Sequence, residues 1–290
     1  MITGFLYTIL SAAFFGLLAI FGKLGYMAGF SAGELLTYRF FIASFLFVLF
    51  FIIKDLSLFR IGFKELLKAF FAGFVLYFIQ SYAFIKSLEY IEASTTSLIL
   101  YAYPVTVTIL SVIFFKTKIS KGMFISLLLI MLGCFFIFYD AFLRKISLTG
   151  IFYAVLAMSV FSFYLIFIQK ALKNINPVTF SFYVILSTAF SYLTFSNPFN
   201  FGTFNAQKLL IAFGIGFIPT FLAVLFLYIA IEKIGSVYVS IFSTIEPIIT
   251  VVSSFFILGE KILFFQVIGM VLILAGIILP NYAMLRRNHV

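Results

Sequence analysis

Ser97-Leu98-Ile99-Leu100-Tyr101-Ala102-Tyr103-Pro104 and Ser240-Ile241-Phe242-Ser243-Thr244-Ile245-Glu246-Pro247 lie 143 residues apart and share a serine and a proline seven residues beyond it. Sliding the chain on itself by 143 aligns Lys64–Ile137 with Gln207–Pro280, identical at 18 of 74 positions. Phe and Ile matches come cheaply in this composition, so the informative pairs are Gly73/Gly216, Glu89/Glu232, Ser97/Ser240, Pro104/Pro247, Ser111/Ser254, Lys118/Lys261 and Gly133/Gly276. A slightly longer offset continues the match upstream: Thr3-Gly4 with Thr149-Gly150, Tyr7 with Tyr153, Tyr38 with Tyr183. Two similar halves, 1–140 and 147–290, follow.

Around these stretches the chain is greasy throughout. Of 290 residues, 64% are hydrophobic and 10% charged, with a mean hydropathy of +1.25. Soluble domains run about 45–50% apolar and about 25% charged, so one water-soluble core is excluded. The 45 Phe and 16 Tyr exclude disorder. Charge-free stretches mark the spans: Met1–Gly22, Gly33–Ile53 (admitting Glu34 and Arg39), Ala69–Ile85, Ala93–Phe115, Gly122–Tyr139, Ile146–Gln169, Pro177–Phe195, Leu209–Ile231, Ile234–Ile245 continued by Pro247–Gly259, and Ile262–Leu285. A crossing needs about 20 apolar residues, and alternation over such runs is absent. The expectation is an all-α integral membrane protein of ten transmembrane helices. Five per half forces the second copy to enter from the opposite side, an inverted repeat. Turn residues between Ser196 and Asn205 end the seventh span.

The net charge of +10 reflects short basic loops rather than nucleic-acid binding. With the N-terminus inside, twelve Lys and Arg fall on the cytoplasmic side and six on the other. Both termini are therefore expected in the cytoplasm, in the cell's plasma or inner membrane. Met1–Gly22 lacks a basic leader and shares the later repeat, so it reads as a retained span. Cys134 has no cysteine partner, and the single histidine, His289, lies in the last two residues. No metal or cofactor is expected. Gly16-x5-Gly22-Lys23 is followed by Leu24 and misses the phosphate-loop pattern, and Gly214-Ile215-Gly216 sits in an apolar helix rather than after a strand.

Polar side chains mark the interior. Ser94, Ser97, Tyr101, Pro104, Thr108 and Ser111 follow one helical face, as do Ser236, Ser240, Ser243, Pro247, Thr250 and Ser254. Small polar stripes also serve close helix packing. Pro104 and Pro247 each remove a backbone hydrogen bond and are expected to free the carbonyls of Leu100 and Ser243 in kinked spans. Pro219 is a further kink candidate; Leu76 occupies its place in the first half, so the symmetry is expected to be broken in the eighth span.

Glu246 lies ten residues from Ser236, roughly 15 Å deep. A carboxylate there must be protonated, paired or bathed in cavity water, which makes it a candidate for proton exchange or substrate contact. Arg39 lies five residues inside Glu34, roughly 8 Å from that end of its span. It can neutralise an anionic group, pair with an acid, or snorkel to the interface. Gln80, Tyr82, Tyr101, Tyr103, Tyr164 and Tyr228 offer hydrogen bonds and stacking to a ligand. Ser243 is a further candidate from the second stripe, and Ser162 and Gln169 are weaker ones on the sixth span.

The chain resembles the two halves of the drug/metabolite transporter superfamily, EamA type. The resemblance rests on the Ser97–Pro104 stretch followed by Gly133, and on Thr244–Pro247, Leu258-Gly259-Glu260-Lys261, Gln266–Gly269 and Leu274-Ala275-Gly276. Tyr38-Arg39-Phe40-Phe41-Ile42-Ala43 is similar to that family's signature in the second span. The Gly259-Glu260 pair has Lys116-Thr117 as its first-half counterpart, a departure. The resemblance implies a carrier exporting or exchanging small metabolites such as amino acids. With no nucleotide site, gradients of solute, counter-solute or protons would drive it. An intramembrane lipid-handling enzyme lacks a catalytic pair here, and a passive channel would need a continuous polar pore.

Overall fold

The structure, a computed structural model, describes residues 2–87, 90–91, 93–139, 147–195, 205–259 and 261–278. Glu89, Glu260, His289, the turn residues of 196–204 and both chain ends lie outside the described residues, as does the side chain of Ser94. Among the described residues the fold is helical, without strands.

The helices are α1 (Ile2–Gly16), α2 (Leu18–Met27), α3 (Ala32–Lys54), α4 (Phe63–Phe70), α5 (Phe78–Ser87), α6 (Ala93–Leu100), α7 (Tyr103–Phe115), α8 (Lys121–Ile137), α9 (Leu148–Ala171), α10 (Pro177–Phe195), α11 (Ala206–Gly216), α12 (Ala223–Phe242), α13 (Glu246–Ser253) and α14 (Phe264–Ile278). Several join end to end. Seven runs are long and apolar enough to cross a membrane, and α8 and α14 are shorter apolar helices. The last of the seven, Ala206–Leu258, has 53 residues. Straight, it would be about 80 Å long, far beyond a hydrocarbon core of about 30 Å. Gly235 breaks it, at φ 79° and ψ 160°. The chain reverses there: Ser11 on α1 bonds the Ala223 carbonyl, Gly4 packs on Ile234, and Gly16 packs on Ile249. The side before Gly235 therefore runs antiparallel to α1 and the side after it runs parallel.

Caps set the starts. Ser31 and Glu34 form a reciprocal box at α3, the Ser31 N–H donating to Glu34 Oε2 at 2.7 Å. Ser120, Ser147 and Asn205 cap α8, α9 and α11. The stops repeat. Lys116 ends α7 at φ 54° and Gly259 ends its counterpart at φ 68°, so the glycine that distinguishes the second half is a left-handed helix stop. Lys116 adopts the same conformation, which a residue bearing Cβ does at some cost; Ser111 Oγ and Thr117 Oγ1, 2.7 Å apart, tie that corner.

The interior irregularities also repeat, which corrects the expectation for Pro219. A wide π-type turn occupies Phe217–Leu222 around Pro219. An equivalent one occupies Phe71–Tyr77 without any proline. The close contacts match as well. A Cβ on Gly73 would meet Val184 and Ser187; one on Gly216 would meet Arg39 and Ile42, the residues 145 positions earlier. Helix α8 packs on α14 through facing glycines, a Cβ on Gly133 falling 2.7 Å from the Gly269 carbonyl. Small residues let backbones approach where lipid offers no hydrophobic drive.

Aromatic rings fill the end of the bundle where α3 finishes. Phe47, Phe51, Phe59, Phe182 and Phe221 interlock there, the Phe51 centroid 5.0 Å from both Phe59 and Phe182. Thr179 Oγ1 and Tyr183 Oη donate to the carbonyls of Leu58 and Phe59 at 2.9 and 2.7 Å. Other large aromatics, such as Phe41, Phe45, Phe190 and Phe256, face outward, as a lipid-facing surface requires.

Candidate functional site

Arg39 does not snorkel. It is 5% exposed, its Nε donates to Thr220 Oγ1 at 2.8 Å and its Nη2 to Tyr77 Oη at 3.3 Å. The guanidinium also lies 4.9 Å from the Phe40 ring centroid. Thr220 is held in turn, donating to the Ile215 carbonyl at 2.7 Å. That carbonyl lies four residues before Pro219, which has no N–H to offer it. Tyr77 and Thr220 were not singled out by their own residue type. They stand 143 positions apart, so the repeat offset was the signal that pairs them. Each sits in one of the two wide turns.

From Tyr77 a run of rings crosses the bundle. Tyr77 stacks on Tyr164 at 5.1 Å, and the Tyr164 and Tyr228 hydroxyls meet at 2.6 Å. Both are fully buried. On the other side Phe40 stacks on Tyr192 at 5.5 Å, whose hydroxyl meets Ser81 Oγ at 2.7 Å.

The second cluster gathers at the broken turns of residues 101–104 and 243–247. Tyr101 is buried close to the Glu246 carboxylate. Tyr103, the counterpart of Glu246, donates to the Ser240 carbonyl at 3.3 Å. The expected freeing of the Ser243 carbonyl is corrected: the chain tightens to a 3₁₀ turn, and the Glu246 N–H takes that carbonyl. Pro104 and Pro247 stand at the first turn of α7 and α13, where proline needs no donor. Glu246 is deep in the bundle yet keeps accessible surface, unlike the tyrosines around it.

Arg39 and Glu246 do not pair. Among the described residues no carboxylate lies within ion-pair distance of Arg39. Gln80, one helical turn beyond Tyr77, is 8% exposed and has no hydrogen-bond partner among the described residues, while none of its amide atoms is sealed from solvent. The other candidates stand apart. Tyr82 is 47% exposed, lining a crevice with Leu36, Phe78, Lys86 and Phe195. Ser162 spends its hydroxyl on the Met158 carbonyl at 2.8 Å, and Gln169 accepts from the Ser236 N–H at 2.7 Å. Much of each serine and threonine stripe is likewise spent locally, Thr108 on Pro104 and Ser240 on Val237.

Comparison with known proteins places this geometry. A model of the EamA-like transporter family matches residues 2–139 and again residues 148–282. A comparison with curated proteins returns no match. A protein known from its crystal structure superposes with a TM-score of 0.82, covering 99% of each chain at 14% sequence identity, a likeness of fold.

Proposed function

The chain belongs to the EamA-like transporter family, and from that premise we propose a secondary-active carrier for a small polar or amphipathic metabolite, such as an amino acid, working by alternating access. Membership makes it a multi-pass membrane transporter of the drug/metabolite superfamily. The finer reading is ten crossings in two inverted five-helix halves, 1–140 and 147–290, with both termini in the cytoplasm. The reversal at Gly235 supports the count. Helix pairing supports the inversion: α1 pairs with α12, and α5 pairs with α9. Exchanging the halves turns the first pairing into the second. The matched environments of Gly73 and Gly216 fit the same relation.

The observation that carries the reading is a buried cation and a carboxylate in the bundle that do not pair. Arg39 comes from the first half and Glu246 from the second. Charges at membrane depth are expensive and tend to line solute or ion pathways. Glu246, in contact with accessible space, is suited to take a proton or a cationic group of the solute. Arg39, Gln80, Tyr101, Tyr103, Ser243, Tyr164 and Tyr228 line or support the same region. Ser162 and Tyr82 contribute from further out. The aromatic plug of Phe47, Phe51, Phe59 and Phe182 would close one end while the other admits solute, and the irregular turns at Pro104, Pro219 and Pro247 would absorb the change on rocking.

Counterflow in proteoliposomes tests this. Labelled amino acid should accumulate transiently against an unlabelled internal pool and saturate with concentration. Linear, non-saturating flux would make the protein a channel. Lipid turnover without solute flux would make it an enzyme.

A further inference from the structure

The two groups that hold Arg39 take a particular edge of its guanidinium. Nε and Nη2 carry the side-on pair of N–H donors, the fork that a carboxylate accepts with both oxygens. Here that fork is filled by two separate hydroxyl oxygens, Thr220 Oγ1 at 2.8 Å and Tyr77 Oη at 3.3 Å. They come from repeat-equivalent positions, one in each half. Neither bears charge, so the cation is solvated but not neutralised, and a buried cation left so is costly. The groups around it are uncharged and have protons to give. The Thr220 proton is committed to the Ile215 carbonyl, whereas the Tyr77 proton has no acceptor among the described residues, and the Gln80 amide one turn away is unpartnered. Such a set is short of an acceptor bearing negative charge.

We propose that the side-on fork of Arg39 is the seat of a solute carboxylate, and that the Thr220 and Tyr77 hydroxyls are its stand-ins when no solute is bound. The inference deepens the carrier reading and rests on it. It adds a coupling step. Thr220 binds Arg39 across the seam between the halves and Tyr77 binds it within the first half, so a carboxylate that takes Nε and Nη2 displaces both and releases the tie across the seam. No covalent bond changes; two hydrogen bonds from the cation to uncharged hydroxyls are exchanged for a bidentate ionic pair. Tyr77 then turns its free proton, and Gln80 its amide, to the incoming oxygens.

The full-length protein in neutral detergent is titrated with acetate, propionate and benzoate, each against its amide at constant sodium chloride, while thermal unfolding is followed. At ten times Kd a carboxylate should raise Tm by about 2–4 °C, and the amides should not. Arg39→Gln should abolish the shift and Arg39→Lys, which keeps the charge without the fork, should retain a fraction of it. Thr220→Val is the diagnostic variant. It should lower the ligand-free Tm yet tighten carboxylate binding about three- to ten-fold, because one competitor for the fork is gone. Unchanged or weaker binding in Thr220→Val overturns the exchange, and so does an equal response to acids and amides. Stabilisation by phosphatidylglycerol without any by the carboxylates would assign the seat to a lipid headgroup and overturn the proposal. Counterflow on the same preparation separates the two readings. Arg39-dependent carboxylate binding without counterflow defeats the carrier, while counterflow indifferent to Arg39→Gln and to the carboxyl group defeats the seat.

Discussion

Replacing Thr220 by valine swaps a hydroxyl for a methyl of similar shape, so the cost isolates two hydrogen bonds. One is the 2.8 Å bond from Arg39 Nε, the other the 2.7 Å bond to the Ile215 carbonyl. Hydrogen bonds between membrane helices measure about 0.6 kcal/mol on average and about 1.7 at most. A charged donor belongs at the upper end, since bonds to charged groups run about 1.5–3 kcal/mol in proteins generally. The Ile215 carbonyl, left without the partner that Pro219 cannot supply, adds about 1 kcal/mol. The expected total is about 2–3 kcal/mol. The assay is a double-mutant cycle with Arg39→Met, read by reversible unfolding in mixed micelles. In the Arg39→Met background only the Ile215 term survives, so Thr220→Val should cost about 1 kcal/mol there, a coupling of about 1–2 kcal/mol. Equal costs in the two backgrounds would show that Thr220 serves its own helix and not Arg39, and the tie across the seam would be withdrawn.

Glu246→Gln should remove the pH dependence of transport while leaving exchange possible, because the amide keeps the shape and loses the proton; pH-dependent flux that persists unchanged in proteoliposomes rules out this carboxylate as the proton carrier. Tyr164→Phe should cost about 1–3 kcal/mol by leaving the Tyr228 hydroxyl buried without its 2.6 Å partner. Adding Tyr228→Phe should recover most of that loss in the same unfolding assay, and a double variant as unstable as the sum of the singles would speak against the pair.

Much of the fold was legible because lipid leaves the chain little choice. Backbone groups in hydrocarbon must be satisfied within the segment, so a long apolar run is a helix. The charge-free stretches fall on helices with shifted ends, the eighth and ninth merging in the run Ala206–Leu258 and the fifth and tenth being shorter than a full crossing among the described residues. The expected Ala69–Ile85 extends to Phe63–Ser87, since Lys64, Glu65 and Lys68 lie on an amphipathic first turn that hydropathy alone discards. The expected end of the first span at Gly22 moves to Met27, because Lys23 is carried within the helix. Pro219 was visible as an interruption, but its consequence was misjudged. The same wide turn forms around Leu76 without a proline, and both turns share the close glycine packing at Gly73 and Gly216.

Composition and repeat alone determined that this chain is a helical membrane protein of two similar halves, and they picked out Arg39 and Glu246, since buried charge is rare enough in such a setting to be conspicuous. Which groups surround those charges was decided by tertiary structure. Tyr77 and Thr220 are unremarkable in the sequence and meet only because two distant turns converge on one guanidinium. That Arg39 and Glu246 remain apart was likewise beyond local reading, for a hydrogen bond depends on atoms a few ångströms apart in space, and residues 181 positions apart become neighbours only once the halves have packed.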